Sequence, residues 1–155
     1  MSTFVHRSIM PATPEAVFAF HERPDAFKLL TPWWSGAHIV QAAPTLRPGS
    51  RAIIRLGPPL VGPLWVAEHT AYDPPREFVE RQVSGPFQSW EHHHRVLPHA
   101  RGAVLSDEVT YGAPGGPLAA LVDRLFLRPF FRALFAYRHN VTRRYVLLDP
   151  GSRRR

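Results

Sequence analysis

The chain contains no cysteine, a single lysine (Lys28) and no uninterrupted apolar run of membrane-spanning length. The first absence excludes disulfides, thiolate metal ligands and a cysteine nucleophile, and it leaves the redox compartment open. The second makes the positive balance almost wholly arginine. Nineteen Lys+Arg against 12 Asp+Glu give a formal charge of +7, but Arg153, Arg154 and Arg155 lie in a stretch, 150–155, expected to be a disordered basic tail, and removing them takes +7 to +4. The remaining arginines form no motif interleaved with exposed aromatics, so no nucleic-acid partner is expected. The missing apolar run, with no signal-peptide core in the first residues, leads to the expectation of a cytoplasmic protein without stable membrane insertion.

What is present describes one folded unit, read as 1–149. At 155 residues and 45% hydrophobic composition, such a chain buries roughly 70% of the surface it exposes when unfolded, enough for a core with a hollow in it. Residues 4–10 are β-rich. Thr13 is placed to cap a helix with Pro14 at its first position and Glu15 in its first turn. Asp25 precedes a second short helix that ends before Pro32. Six strands are then predicted, over 36–42, 50–57, 64–73, 77–83, 88–97 and 103–111, separated by Pro/Gly turns such as Pro48-Gly49 and Gly85-Pro86. Short turns between successive strands imply an antiparallel meander.

Beyond the Gly112–Pro117 stretch, Leu118 to Leu148 reads as one long helix kinked at Pro129. Its predicted apolar face carries Leu121, Leu125, Phe126, Phe130, Leu134 and Tyr137. The fold class is therefore α+β: a curved antiparallel sheet of about seven strands wrapped around a long C-terminal helix, with two short helices after the first strand.

The segment from Trp90 to Val96 holds the chemistry. Alternation puts Trp90, His92, His94 and Val96 on one face and the all-polar set Glu91, His93 and Arg95 on the other, so the two histidines point inward. In 103–111, Leu105, Val109 and Tyr111 set the inward parity and carry Asp107 with them. Turning the chain between these strands sets His92 opposite Asp107, and a register error of one pair sets His94 there instead, so a His–Asp contact is expected either way. An imidazole held by a carboxylate serves as a general base or a metal ligand, and it is also the ordinary way to satisfy a buried histidine. No nucleophile or oxyanion donor is legible, and the His-x-His pair has no assured third ligand. No metal and no cofactor are expected. In 77–83, Glu80 and Gln82 compete with Val79 and Arg81 for the inner face, and Glu68 is equally readable as inward or outward. Trp33 and Trp34 serve as rim packing or as aromatic contacts to a ligand.

The stretches quoted below resemble the START-like helix-grip (SRPBCC) superfamily, in particular its bacterial polyketide cyclase/dehydrase-like or coenzyme Q-binding-like subgroup, and similar stretches occur in domains fused to sugar-epimerase-like proteins. The resemblance covers nearly the whole chain. It is carried by Pro14-Glu15-Ala16-Val17-Phe18, Leu30-Thr31-Pro32-Trp33-Trp34, Gly85-Pro86-Phe87 with Trp90, His92 and His94, Asp107-Glu108-Val109-Thr110-Tyr111, and Phe135-Ala136-Tyr137-Arg138. Val96 stands where the family often has an aromatic residue. The resemblance implies a cavity between sheet and C-terminal helix that takes a hydrophobic ligand, and it transfers no catalytic assignment.

On that basis the expected function is binding of a lipid, polyketide or aromatic molecule. Trp33, Trp34 and Trp90, with Tyr111, Phe130 and Tyr137, would form apolar wall. His92, His94 and Asp107, joined by Glu80 and Gln82, would meet its oxygen atoms. The alternative is a cyclase, dehydratase or hydrolase acting on a carbonyl compound, with His92 or His94 as general base oriented by Asp107. A third reading is a non-ligand interaction domain, with a homodimer as the partner arrangement.

Overall fold

In the computed structural model, which describes residues 1–148, β1 (Ser2–Met10) is followed by α1 (Pro14–His21), α2 (Ala26–Leu29) and a 3-10 turn at Trp33–Ser35. Six strands come next: β2 (Ala37–Gln41), β3 (Arg51–Leu56), β4 (Leu64–Asp73), β5 (Glu77–Ser84), β6 (Ser89–His99) and β7 (Gly102–Gly112). The expected tail, 150–155, lies outside the described residues.

All seven strands join one antiparallel sheet in the order β1-β7-β6-β5-β4-β3-β2, so the first strand closes against the last and the rest form a meander. Register shifts in the β4–β5 pairing, between Val66/Ala67 and His69/Ala71, mark irregularities that add local twist and help the sheet curl. The Thr13 side chain accepts the Ala16 backbone N–H at 3.3 Å, as the capping pattern predicts. Asp25 makes no such cap and instead pairs with Arg23 at 2.8 Å.

The β6–β7 hairpin corrects the expected register. His99 pairs with Gly102, leaving only Ala100 and Arg101 in the turn, so His94 and not His92 stands opposite Asp107. Gly102 permits this close return: its φ is +125°, and a Cβ there would lie 2.3 Å from the Met10 carbonyl oxygen.

The C-terminal helix is segmented at its start. A 3-10 turn (Gly116–Leu118) and α3 (Ala119–Val122) run into a π turn (Asp123–Leu127) before α4 (Arg128–Leu148). Pro129 follows the π turn directly inside this continuous helix; having no N–H it cannot donate to the preceding turn, and the wider π register just before it is where the helix takes up the proline. Across the π turn the Arg128 N–H reaches back five residues to the Asp123 carbonyl, so the apolar stripes on its two sides fall out of phase.

The buried face of α4 is Phe131, Leu134, Phe135, His139, Thr142 and Val146. Leu121, Leu125 and Phe126 of the predicted stripe are exposed, Phe126 at 67%. Two core clusters hold the helix against the sheet. Phe4, Trp90, Val109, Tyr111, Phe131 and Phe135 form one. The other joins α1 to the far ends of β6, β7 and α4 and includes Phe18, Phe78, Val96, Leu105 and Val146.

Candidate functional site

Between the concave face of the sheet and α4 lies a cavity of about 400 Å³. Its wall is mainly apolar, with Leu30, Ile54, Trp65, Trp90, Phe131 and Leu134 among its residues. Of the charged and titratable side chains that line it, Glu22 and Arg23 are exposed, while Glu80, His94, His69, His21 and Arg138 are buried or half-buried. Inward parity supplies most of them. On β5 the parity that competes for the core resolves in favour of Phe78, Glu80 and Gln82, since Glu80 pairs across to His92. On β4 the inward residues are Ala67 and His69, while Glu68 turns outward to pair with Arg51.

Behind Glu80 and His94 runs a buried hydrogen-bonded network. One oxygen of Asp107, Oδ1, lies 2.8 Å from His92 Nε2 and 2.6 Å from His94 Nδ1, and its Oδ2 lies 2.6 Å from His139 Nε2. His139 Nδ1 continues to Ser8 Oγ at 2.8 Å, and His92 Nδ1 returns to Glu80 Oε1 at 3.1 Å. The His94–Asp107 approach is short but out of line for a hydrogen bond, so it acts through charge. The His94 ring stacks on Phe78, with centroids 4.1 Å apart, and its Nε2 lies 3.9 Å from Glu80 Oε1.

Electrostatics follow from burial opposed by partners. Burial alone would push the His94 ring down, but the Asp107 charge, reinforced by Glu80, outweighs it and raises the pKa to about 9. Burial would push the two carboxyls up. Asp107 is instead held well below the carboxylate range by His94, His139 and His92, and Glu80 likewise by His92 and His94. His21 is pushed down to about 4 by burial and by the neighbouring His94. His69 is lowered by burial, and its Nδ1 is buried with no partner among the described residues.

The sequence-predicted residues divide sharply. Glu80, Trp90, His94 and Phe130 line the cavity. His92 and Asp107 do not reach it; they are buried behind it and touch it only through Glu80 and His94. Gln82 serves structure, binding the Phe87 backbone at the β5–β6 turn. Tyr111 is buried and donates to Asp123, while the Tyr137 hydroxyl reaches the Leu29 carbonyl at 3.3 Å. Trp33 projects into solvent at 92% exposure, because the 3-10 turn carrying it runs outside the sheet. Trp34 packs edge-on against Phe130 and Tyr137. Reading the sequence does not single out His139, His21, His69 or Arg138. Arg138 belongs to the quoted Phe135–Arg138 motif, and the parity of β4 points to His69. Nothing local marks His139, whose helix face is decided by the π turn.

A family model, polyketide cyclase / dehydrase and lipid transport, matches residues 10–136. The chain belongs to this family. Solved structures agree on the helix-grip architecture. A nucleoside-diphosphate sugar epimerase from Corynebacterium glutamicum superposes with a TM-score of 0.68 at 23% identity over 93% of this chain, which spans only 28% of that protein. TTHA0849 from Thermus thermophilus gives 0.71 at 17% identity, covering 94% of this chain and 97% of that one. The di-domain ARO/CYC StfQ of the steffimycin biosynthetic pathway gives 0.69 at 13% identity, covering 92% and 50%. No curated protein matches in sequence. At these identities the structural likenesses establish the fold alone. The family binds or transforms hydrophobic molecules as a class. Among the described residues no helix is long and apolar enough to cross a membrane.

Proposed function

We propose that the protein binds a hydrophobic, ring-containing small molecule in the cavity, with an oxygen of the ligand directed at His94, Glu80 and Arg138. The observation that carries this reading is the wall itself. A hollow of about 400 Å³ lies within the usual range for ligand pockets, roughly 300–1,000 Å³, and has their usual makeup of apolar surface with a few convergent polar groups. Two lining residues, Trp65 and Trp90, also bury indole N–H groups that have no partner among the described residues. Each such donor costs about 1–3 kcal/mol until an acceptor meets it. Arg138, stacked over Phe135 and tied to the Leu30 carbonyl, adds a cation with no carboxylate directly paired to it among the described residues.

The experiment is titration of a fluorescent ring-bearing amphiphile, 8-anilinonaphthalene-1-sulfonate, into the protein and into Ala67→Phe, which places a ring inside the cavity. Saturable binding that weakens at least tenfold in the variant, with the variant still folded, supports the reading. Equal binding by both proteins would sink it.

The enzyme reading is favoured by one feature: His94 is the histidine that has Asp107 behind it and the cavity in front. His92 and Asp107 do not line the cavity, so the candidate that touches an organic substrate narrows to His94. A carbonyl substrate that is cyclised or dehydrated should then lose turnover in His94→Gln while keeping affinity within about tenfold, or 1.4 kcal/mol.

A further inference from the structure

We infer that Glu80, His92 and His94 form a binding site for one divalent transition-metal ion where the network meets the cavity. The site requires no particular organic ligand, so its test stands apart from that of the preceding section. His-x-His on one strand supplies two nitrogens, and the β5–β6 register supplies the third ligand by pairing Glu80 with His92. The three candidate ligand atoms lie within 4.8 Å of one another. Glu80 Oε1 stands 3.1 Å from His92 Nδ1 and 3.9 Å from His94 Nε2. Tetrahedral zinc with bonds of 2.0–2.1 Å holds its ligand atoms roughly 3.3–3.4 Å apart, a value these two distances bracket.

What separates this cluster from an ordinary polar patch is its outer layer. Metal-binding histidines hold the second ring nitrogen against a carboxylate, which fixes the ring and raises its basicity. Here both second nitrogens meet the same Asp107 oxygen, His92 Nε2 by a hydrogen bond of 2.8 Å and His94 Nδ1 by charge at 2.6 Å. The two rings thus offer opposite nitrogens, Nδ1 from His92 and Nε2 from His94, to one point. Asp107 is itself held from behind by His139. His69, the cross-strand neighbour of Glu80, lines the same cavity with its buried Nδ1 unpartnered among the described residues, so a further donor stands beside the site. A set of two histidines and one glutamate, with one side open to a cavity, suits zinc or iron(II) and leaves a position for water or a ligand oxygen. The outer-face histidine, His93, is a natural contrast. Both of its nitrogens are already taken, by Glu77 and Glu91, each at 2.8 Å.

The test is calorimetric titration of Zn2+ into the chelator-stripped full chain, alongside nitrogen NMR of the histidine rings. One Zn2+ per chain is expected. Glu80→Gln and His94→Gln should weaken it by at least about 100-fold, Asp107→Asn by about 10- to 100-fold, and His93→Gln not at all. In the wild-type chain, metal should move the resonances of His92 Nδ1 and His94 Nε2 into the coordinated range while their partner nitrogens stay protonated, a readout that needs no variant to fold. Absence of saturable binding at micromolar Zn2+ overturns the site. So does binding that survives both Glu80→Gln and His94→Gln, or that is lost in His93→Gln. Dye binding in the Ala67→Phe comparison decides the organic-ligand reading separately.

Discussion

Asp107 gathers three imidazoles around one buried carboxylate, with His92 and His94 arriving from β6 and His139 from α4. A side chain so placed ties the helix to the sheet by charge as well as by packing. Asp107→Ala strands three rings in the core, and breaking a buried pair from one side costs about 3–5 kcal/mol. Urea denaturation should show a loss of that order, and a loss below about 1 kcal/mol would mean that the network contributes little. His21 gives a pH prediction. Its ring, bonded to the Val17 carbonyl and 6.2 Å from that of His94, has its pKa pushed down to about 4 against 6.5 when unfolded. The unfolded chain therefore takes up this proton first. The contribution is fully present above about pH 6.5 and is lost as the pH falls toward 4, reaching about 3 kcal/mol. His21→Phe should be free of that loss, so the stability difference between variant and wild type should move in the variant's favour across this window. A difference that stays flat from pH 7 to about 4 would refute the shift.

At the scale of elements, the start of the C-terminal helix is fastened by one residue. Asp123, in the π turn, accepts from Ser2 of β1, from Tyr111 of β7 and from Arg128 of α4. Asp123→Ala leaves the buried Tyr111 hydroxyl without its acceptor and should cost about 2–3 kcal/mol in thermal or chemical unfolding. Burial would raise this carboxyl, but Tyr111, Ser2 and Arg128 together lower it, so its contribution is present above the carboxylate range and fades as the pH falls through it. The phase of α4 is tested by a pair of substitutions. Phe131→Ala should cost about 3–5 kcal/mol, and Leu125→Ala, half exposed beyond the sheet, less than about 0.5 kcal/mol. Equal costs would restore the uninterrupted stripe that the spacing of apolar residues predicts. The spacing misleads because periodicity assumes one helix type throughout, and a single π turn breaks the phase without leaving a mark in the apolar pattern.

At the scale of the molecule, the sheet curls around α4 without filling the space between them, and the hollow is walled by residues from the helices, the strands and their connections. Val96 bears on how that hollow is sized. The valine is fully buried in the core cluster beneath α1 and is not part of the cavity wall, so its small size serves packing rather than ligand volume. Val96→Phe should therefore overpack the core, costing about 1–3 kcal/mol, and leave the affinity for the amphiphilic dye unchanged. A stable variant with altered dye binding would place this position in the wall after all.

The order of strands and helices, the inward parity of β6 and β7, and the meeting of His with Asp107 all follow from the sequence by itself. They depend on alternation, turn residues and capping, which act over a few residues. Tertiary structure decided the rest. The two-residue turn at Ala100-Arg101 set which histidine faces Asp107, the π turn brought His139 inward in place of Tyr137, and the 3-10 turn outside the sheet left Trp33 in solvent. The division between His94 on the cavity and His92 behind it was likewise beyond local reading. Both share one strand and one parity, and only the packing of Phe135 and Glu80 from other elements separates them.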